Sequence, residues 1–323
     1  MREEKIIFFK RMILFLIIFS ILVSILGYVY DIFIIQKDSR LLKELAFERE
    51  IESIKILAIG DSHPARAFIP YYINNSYNFA TPGETLEQTY ILLKSMLSKQ
   101  NNLSIIVLNY ELTSFSDYRS NPYAEVSFWK RHMNYKQLKE VTGLSYTNLF
   151  LYDNFPFLGN GLQLNVIFHP EEQIKMYRGW SMSDKQLRNF GLSDDPSLQA
   201  VRRLKKQFKN FEELNPKLIN AFKDILELTN KKNLTLVLVK YPVSKHYLQG
   251  FKDISIDLDE NYKILNRIIS EYNNTQVNNI VVLDYQKYIY EDKYFEDQDH
   301  LNIWGAANFS RMLSNELERL NVR

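Results

Sequence analysis

"IKILAIGDSHPARAFIP", residues 54–70, joins an apolar run to a cluster of polar side chains. Ile54–Ile59 is short and almost continuously apolar. Apolar runs without alternation form strands covered on both faces, and such strands belong to parallel sheets. The run stops abruptly at Gly60-Asp61-Ser62-His63. Three groups able to hold or move protons therefore sit side by side where a strand ends. Three readings are open at this point: Ser62 is a nucleophile, Asp61 and His63 are a metal-binding pair, or the segment is a polar turn.

Outward from this stretch, strands alternate with helices. Tyr77–Ala80, Ile105–Leu108, Leu234–Val239 and Ile280–Leu283 read as further strands. Glu84–Ser98 has Leu86, Tyr90, Leu93 and Met96 at helical spacing. Gln199 to Asn230 reads as one or two helices leading into the fourth strand. A last helix begins near Trp304 and sets Phe309, Met312, Leu313, Leu317 and Leu320 on one side. The fold class expected is α/β, a three-layer sandwich around a parallel, flavodoxin-like sheet of about five strands. Between Ser114 and Leu192 the periodicity is lost and aromatics are dense. This segment is expected to be an insertion of helices and loops over one edge of the sheet, where it would frame a cleft.

The amino-terminal end has a different character. Met12–Tyr30 runs 19 residues without a charge. At ~1.5 Å per residue a helix of this length nearly crosses a ~30 Å hydrocarbon layer. It ends in bulky residues, unlike a cleavable signal. Arg2, Lys5, Lys10 and Arg11 precede it, so the short basic tip is expected in the cytoplasm. Residues 1–35 are then tip and anchor, 36–53 a helical stalk, and 54–323 an extracytoplasmic domain carrying the insertion at about 114–192. The expected location is the cell membrane, crossed once.

Composition narrows the chemistry. The 323 residues contain no cysteine, which removes disulfides, thiolate metal sites and cysteine nucleophiles. A formal net charge of +2 gives no reason to expect nucleic acid as a partner. Ten glycines leave little for long phosphate-binding loops.

In an open parallel sheet, ligands bind at the carboxyl ends of the strands. Ser62 lies there, with its hydroxyl and its own amide near one space. A serine needs a base, usually a histidine oriented by a carboxylate. "YFEDQDHLNIWGAANFS" supplies Asp297, Asp299 and His300 in the loop before the last helix. Asp297 and His300 are three apart, so one turn lets the carboxylate reach its neighbour's ring.

"IGDSH" after an early strand, with a late "DxxHLNxxGA", resembles the SGNH/GDSL hydrolase superfamily. The nearest likeness is to membrane-anchored members that act as O-acetyl esterases or O-acetyltransferases on cell-surface glycans. The resemblance covers about Ile54 to Leu320. It implies Ser62 as nucleophile, His300 as base and Asp297 as acid, with Asp299 the alternative acid. "NFATPGETLEQTY" resembles the family's second block, making the Gly83 amide an oxyanion donor beside that of Ser62. Where the family's third block has Gly-x-Asn-Asp, this chain has "IIVLNYELTSF". Asn109 is the asparagine at hand and stands about three positions early. No metal or other cofactor is implied. The partners implied are a carbohydrate or other acyl-ester substrate, the membrane, and envelope polysaccharide-synthesis proteins.

Other readings compete. Asp61-x-His63 opens metallophosphoesterase motifs, but the further blocks of that family are missing. Alginate-type O-acetyltransferases use an Asp-x-His with a later serine, which would leave Asp297 and His300 unexplained. A non-catalytic glycan-binding or assembly protein is the reading from another class. Asp61, His63, Arg66 and Asp299 are candidate substrate contacts; Arg66 lies four after Ser62 and shares its face on a helix. His63 as a turn residue, and Tyr241, Ser244, His246 and Gly179-Trp180 as loop or packing residues, are the plainer readings.

Overall fold

The computed structural model describes residues 2–33, 39–99, 102–118, 126–159, 176–181, 191–192, 194–209, 211–275, 280–289 and 291–321. The start of the expected stalk, 36–38, and much of the expected insertion, 119–125, 160–175 and 182–190, lie outside them. The chain forms two compact units. One joins Met1–Leu42 to Tyr123–Glu171, and the other joins Lys43–Pro122 to Glu172–Arg323.

The second unit is an α/β domain with a five-stranded parallel sheet. Its strands are β1 (Ile56–Ile59), β2 (Ser76–Asn78), β3 (Ile105–Asn109), β6 (Thr235–Lys240) and β7 (Ile280–Asp284). Their order is β2-β1-β3-β6-β7, and every neighbouring pair is parallel. Ala58 pairs with Val107, Val107 with Val237, and Val237 with Val281. Strands β1 and β3 are buried along their whole length, which is why their apolar runs show no alternation. The strand order reverses between β1 and β3, and in open α/β sheets ligands bind at the carboxyl edge of such a switch point. Each expected strand is present, with ends shifted by one or two residues.

The edge of β2 is covered by a hairpin that periodicity did not reveal, β4 (Met176–Tyr177) and β5 (Trp180–Ser181). Arg178 and Gly179 both have positive φ, +46° and +78°, as a tight hairpin turn requires. Asn78 N donates to Arg178 O at 2.9 Å. A side chain at Gly179 would meet Asn78 O at 2.1 Å, so this approach needs glycine.

Helices α3 (Ser62–Ala67), α4 (Leu86–Lys99), α9 (Pro196–Gln207), α10 (Pro216–Lys231), α11 (Lys245–Asp253), α12 (Leu258–Thr275) and α13 (Ile303–Asn321) complete this unit. Phe309, Leu313 and Leu317 on α13 are buried, as the stripe predicts. Ser310 Oγ takes the Ile69 amide at 2.9 Å and donates to Ala67 O at 2.7 Å, tying α13 to the end of α3. Helix α2 (Ser39–Glu50) buries Phe47 against the rings of Tyr77 and Phe79, at 5.3 and 5.9 Å. Apolar burial of Phe47 holds the second half of this helix against the sheet unit.

In the first unit, α1 (Arg2–Phe33) is apolar around its circumference. Its span Glu4–Tyr30, 27 residues, is long and apolar enough to cross a membrane. Short helices α5 (Val126–Trp129), α6 (Tyr135–Thr142), α7 (Tyr146–Asn154) and α8 (Pro156–Gly159) lie within the expected insertion, whose hairpin β4–β5 belongs to the second unit. They group with α1; Tyr30 meets Phe157 edge-on at 6.2 Å. Trp129 and Leu149 are buried within this unit.

Candidate active site

Ser62 stands just beyond the carboxyl end of β1, at the first position of α3. Asp61 caps that helix, its Oδ1 accepting the His63 amide at 2.9 Å. Gly60 carries φ +115°. A side chain there would lie 1.8 Å from Asn109 Oδ1, so only glycine lets β3 approach the loop. Asn109 Oδ1 accepts the Asp61 amide at 3.3 Å, and its Nδ2 donates to Ser114 Oγ at 2.7 Å. Asn109 thus braces the Gly60–Ser62 loop from behind. Gly83, at φ +82°, lies in a turn anchored by Thr81 N to Gly60 O at 2.9 Å, beside the same loop.

The carboxyl-terminal segment comes from the other end of the chain. Asp297 Oδ1 accepts the amides of Asp299 and His300 at 3.2 and 3.0 Å, which folds 297–300 into one turn. Asn302 Oδ1 then caps α13 by accepting from Trp304 N and Gly305 N, each at 3.1 Å. A side chain at Gly305 would meet Tyr294 O at 2.3 Å. The "HLNxxGA" pattern therefore reflects a cap and a close approach that hold His300 in place.

His300 Nε2 lies 2.7 Å from Ser62 Oγ. Its Nδ1 lies 2.9 and 3.0 Å from the two oxygens of Asp297 and 3.3 Å from Asp299 Oδ1. Ser62, His300 and Asp297, separated by more than two hundred residues, form one hydrogen-bonded row. Burial pushes the Asp297 carboxyl up, but His300 and Arg203 outweigh it and hold it well below the usual carboxylate range. Asp299 is fully buried and Asp297 keeps 28 % of its side chain exposed.

Three of the residues around this row were not singled out from sequence. Arg203 on α9 pairs through Nη1 with Asp297 Oδ2 at 3.2 Å and through Nε with Asp299 Oδ1 at 2.5 Å. Gln207, one turn on, donates to Asp299 Oδ2 at 2.8 Å. Glu296 takes Arg66 Nη1 at 2.6 Å, which spends Arg66 on the acid loop. Helix spacing of four between Arg203 and Gln207 was the available signal, but nothing in the chain says which loop they face.

His63 is buried and not a turn residue. Its ring lies 5.1 Å from that of His300, and Nδ1 is 3.3 Å from Asp61 Oδ1. Burial pushes its pKa down, yet the carboxylates of Glu111 and Asp61 raise it to about 9. Glu111, also buried, is pushed up to about 7 by burial, with His63 pulling the other way. Donor atoms of Asp61, His63 and Glu111 lie within 4.8 Å of one another, as do those of His63, Asp299 and His300. Asp299 is already met by Arg203 and Gln207, and His63 is already ion-paired with Asp61, so neither set is assigned as metal ligands.

Tyr241 is fully buried and Ser244 caps α11 through the Tyr247 amide. His246 is bound to Ser197 and Asp292 at 2.9 and 3.1 Å. Trp180 packs on the core and reaches Arg66 O at 3.4 Å. None of these is a contact of the Ser62 row.

No family model matches the chain, and no match among curated proteins was found. Among solved structures, the chain is similar to one from Streptococcus pneumonia provisionally described as a platelet activating factor. The identity is 12 %, the alignment covers 91 % of this chain and 99 % of the other, and the TM-score is 0.40. A likeness of that strength carries no weight for the site.

Proposed function

We propose that this protein is a serine-dependent acyl esterase or acyltransferase of the SGNH/GDSL type, built on a three-layer, flavodoxin-like sandwich. The strand order β2-β1-β3-β6-β7 and the placement of Ser62 at its switch point support the architecture. The observation that carries the chemistry is the row Ser62 Oγ–His300 Nε2–Asp297, at 2.7 Å and 2.9–3.0 Å.

The row sets the proton positions. Ionised Asp297 holds the proton of His300 on Nδ1, which leaves Nε2 free to accept from Ser62. The hydroxyl oxygen attacks the acyl carbon while its proton passes to Nε2. The oxyanion forms beside the amides of Ser62 and Gly83. When the tetrahedral centre collapses, Nε2 returns the proton to the departing alkoxide and an acyl-Ser62 ester remains. Water or a sugar hydroxyl then gives up a proton to Nε2 and attacks that ester, releasing Ser62. Asp61, His63 and Arg66 sit one layer behind and support the loop; direct substrate contact is not required of them.

The substrate we favour is an O-acetylated cell-surface or exported polysaccharide. The apolar span Glu4–Tyr30 and the basic residues before it support a single-pass anchor with the sheet domain outside the cytoplasm. Envelope polysaccharide-synthesis proteins are the partners this placement would meet. The test is incubation with an activated acetyl ester, followed by peptide mass spectrometry. An acetyl group on Ser62, absent in His300→Ala, is expected. A folded wild-type protein that never acquires it refutes the reading. Topology is checked by protease protection of intact cells.

A further inference from the structure

Two carboxylates face one imidazole nitrogen here. Asp297 Oδ1 lies 2.9 Å and Asp299 Oδ1 3.3 Å from His300 Nδ1. A triad has use for one acid, and a second buried negative charge holds the histidine protonated, when it can no longer accept from serine. The guanidinium of Arg203 answers this charge. It touches both carboxylates, with Nε 2.5 Å from Asp299 and Nη1 3.2 Å from Asp297, and its Nη2 lies 3.1 Å from His300 Nδ1. Nη2 and a protonated Nδ1 are both donors, so no bond joins them; the carboxylates hold the guanidinium there.

We propose that Arg203 is a positioning residue that neutralises Asp299, so that His300 meets the field of a single acid, Asp297. This rests on the esterase reading for its catalytic meaning. The local construction is specific to the purpose. Asp195, at φ +52°, caps α9 by accepting the Leu198 amide, and Pro196 begins the helix. Gly250 lets α9 lie against α11; a side chain there would meet Leu204 Cδ1 at 2.7 Å. Gln207 hands Asp299 a second donor and takes Tyr247 Oη at 2.7 Å. Asp299 thus receives a charge and a hydrogen bond from the same helix face, which draws it away from Nδ1.

The charged groups facing His300 are few. Asp297 and Asp299 come from its own loop, and Arg203 from α9. His63 comes from α3, with Asp61 and Glu111 behind it. Arg66 pairs with Glu296 and lies 4.0 Å from Asp297 Oδ2. Tyr247 from α11 reaches the cluster through Gln207. Asp297, Asp299 and Arg203 leave one net negative charge at Nδ1, and the His63 imidazolium, 5.1 Å away ring to ring, is offset by Asp61 and Glu111 behind it.

The test is a titration that needs no turnover. The full chain, purified in detergent with carbon-labelled histidine, has five imidazoles, and His300→Gln assigns the one of interest. In Arg203→Met the His300 midpoint should rise by about 1–3 pH units. In Arg203→Met/Asp299→Asn it should return to within about half a unit of wild type, because the excess charge is gone. Arg203→Lys, which keeps the charge, should shift by less than half as much as the methionine variant. Ser62 acetylation rates against pH should follow the same order at the acid limb. An unmoved midpoint in Arg203→Met, or one that Asp299→Asn fails to restore, overturns the inference. Wild type that titrates as expected but never acetylates Ser62 would instead bring down the esterase reading alone.

Discussion

Replacing Gly60 by alanine probes how the nucleophile loop is held. The perturbation has two parts. A backbone φ of +115° is one that L side chains rarely adopt, at a cost of roughly 1–3 kcal/mol. The new Cβ would also lie 1.8 Å from Asn109 Oδ1 and 3.0 Å from its Cγ, so Asn109 has to move. Moving it breaks the bonds to Asp61 N (3.3 Å) and Ser114 Oγ (2.7 Å), worth about 1 kcal/mol each in a buried site. Gly60→Ala should therefore cost about 3–5 kcal/mol, a large part of a typical domain's stability. Asn109→Ala should cost about 2 kcal/mol by itself. In the Asn109→Ala background the clash is gone, and Gly60→Ala should then cost only the backbone share, about 1–3 kcal/mol. Urea unfolding of the four proteins gives the cycle. Equal costs for Gly60→Ala in both backgrounds would refute the steric argument and with it the bracing role of Asn109.

Further outcomes follow from the same geometry. Asp297→Asn should lower Ser62 acetylation by about 10³–10⁴, because the ring loses the partner that fixes its tautomer; Asp299→Asn should cost no more than about tenfold, and equal losses in the two would contradict the assignment of the acid. His63 has its folded pKa raised from 6.5 to about 9, so its contribution is full below about pH 6.5 and fades as pH rises through about 9. The stability gap between wild type and His63→Gln in urea should accordingly be wide near pH 6 and narrow near pH 9.5; a gap that widens with pH reverses the sign and rejects the ion-pair account. Asn302→Ala removes the cap of α13 and should cost about 1–2 kcal/mol while slowing Ser62 acetylation through a loosened His300; lost stability at an undiminished rate would show that the cap does not position the base.

Local chemistry wrote much of this protein into its sequence. Continuous apolar runs placed the strands, because both faces of β1 and β3 are buried. The apolar periodicity of α13, the uncharged stretch in α1 and the polar residues after Ile59 depend on near neighbours, so they are legible from the chain. Ser62, Asp297 and His300 could be picked out as candidates, since each stands at a strand or helix junction, and the fold brings their side chains within hydrogen-bond distance. What only folding decided is which distant groups meet. Arg203 and Gln207 look like ordinary polar residues of an amphipathic helix until α9 lies on α11 and turns them toward Asp299. Phe47 looks like part of a spacer until it meets Tyr77 and Phe79. Asn109 is one asparagine among many in the chain until Gly60, lacking a side chain, lets its Oδ1 close on the Asp61 amide. Spacing along a chain reports on contacts a few residues apart; charge balance and close approach between remote segments depend on where the backbone returns.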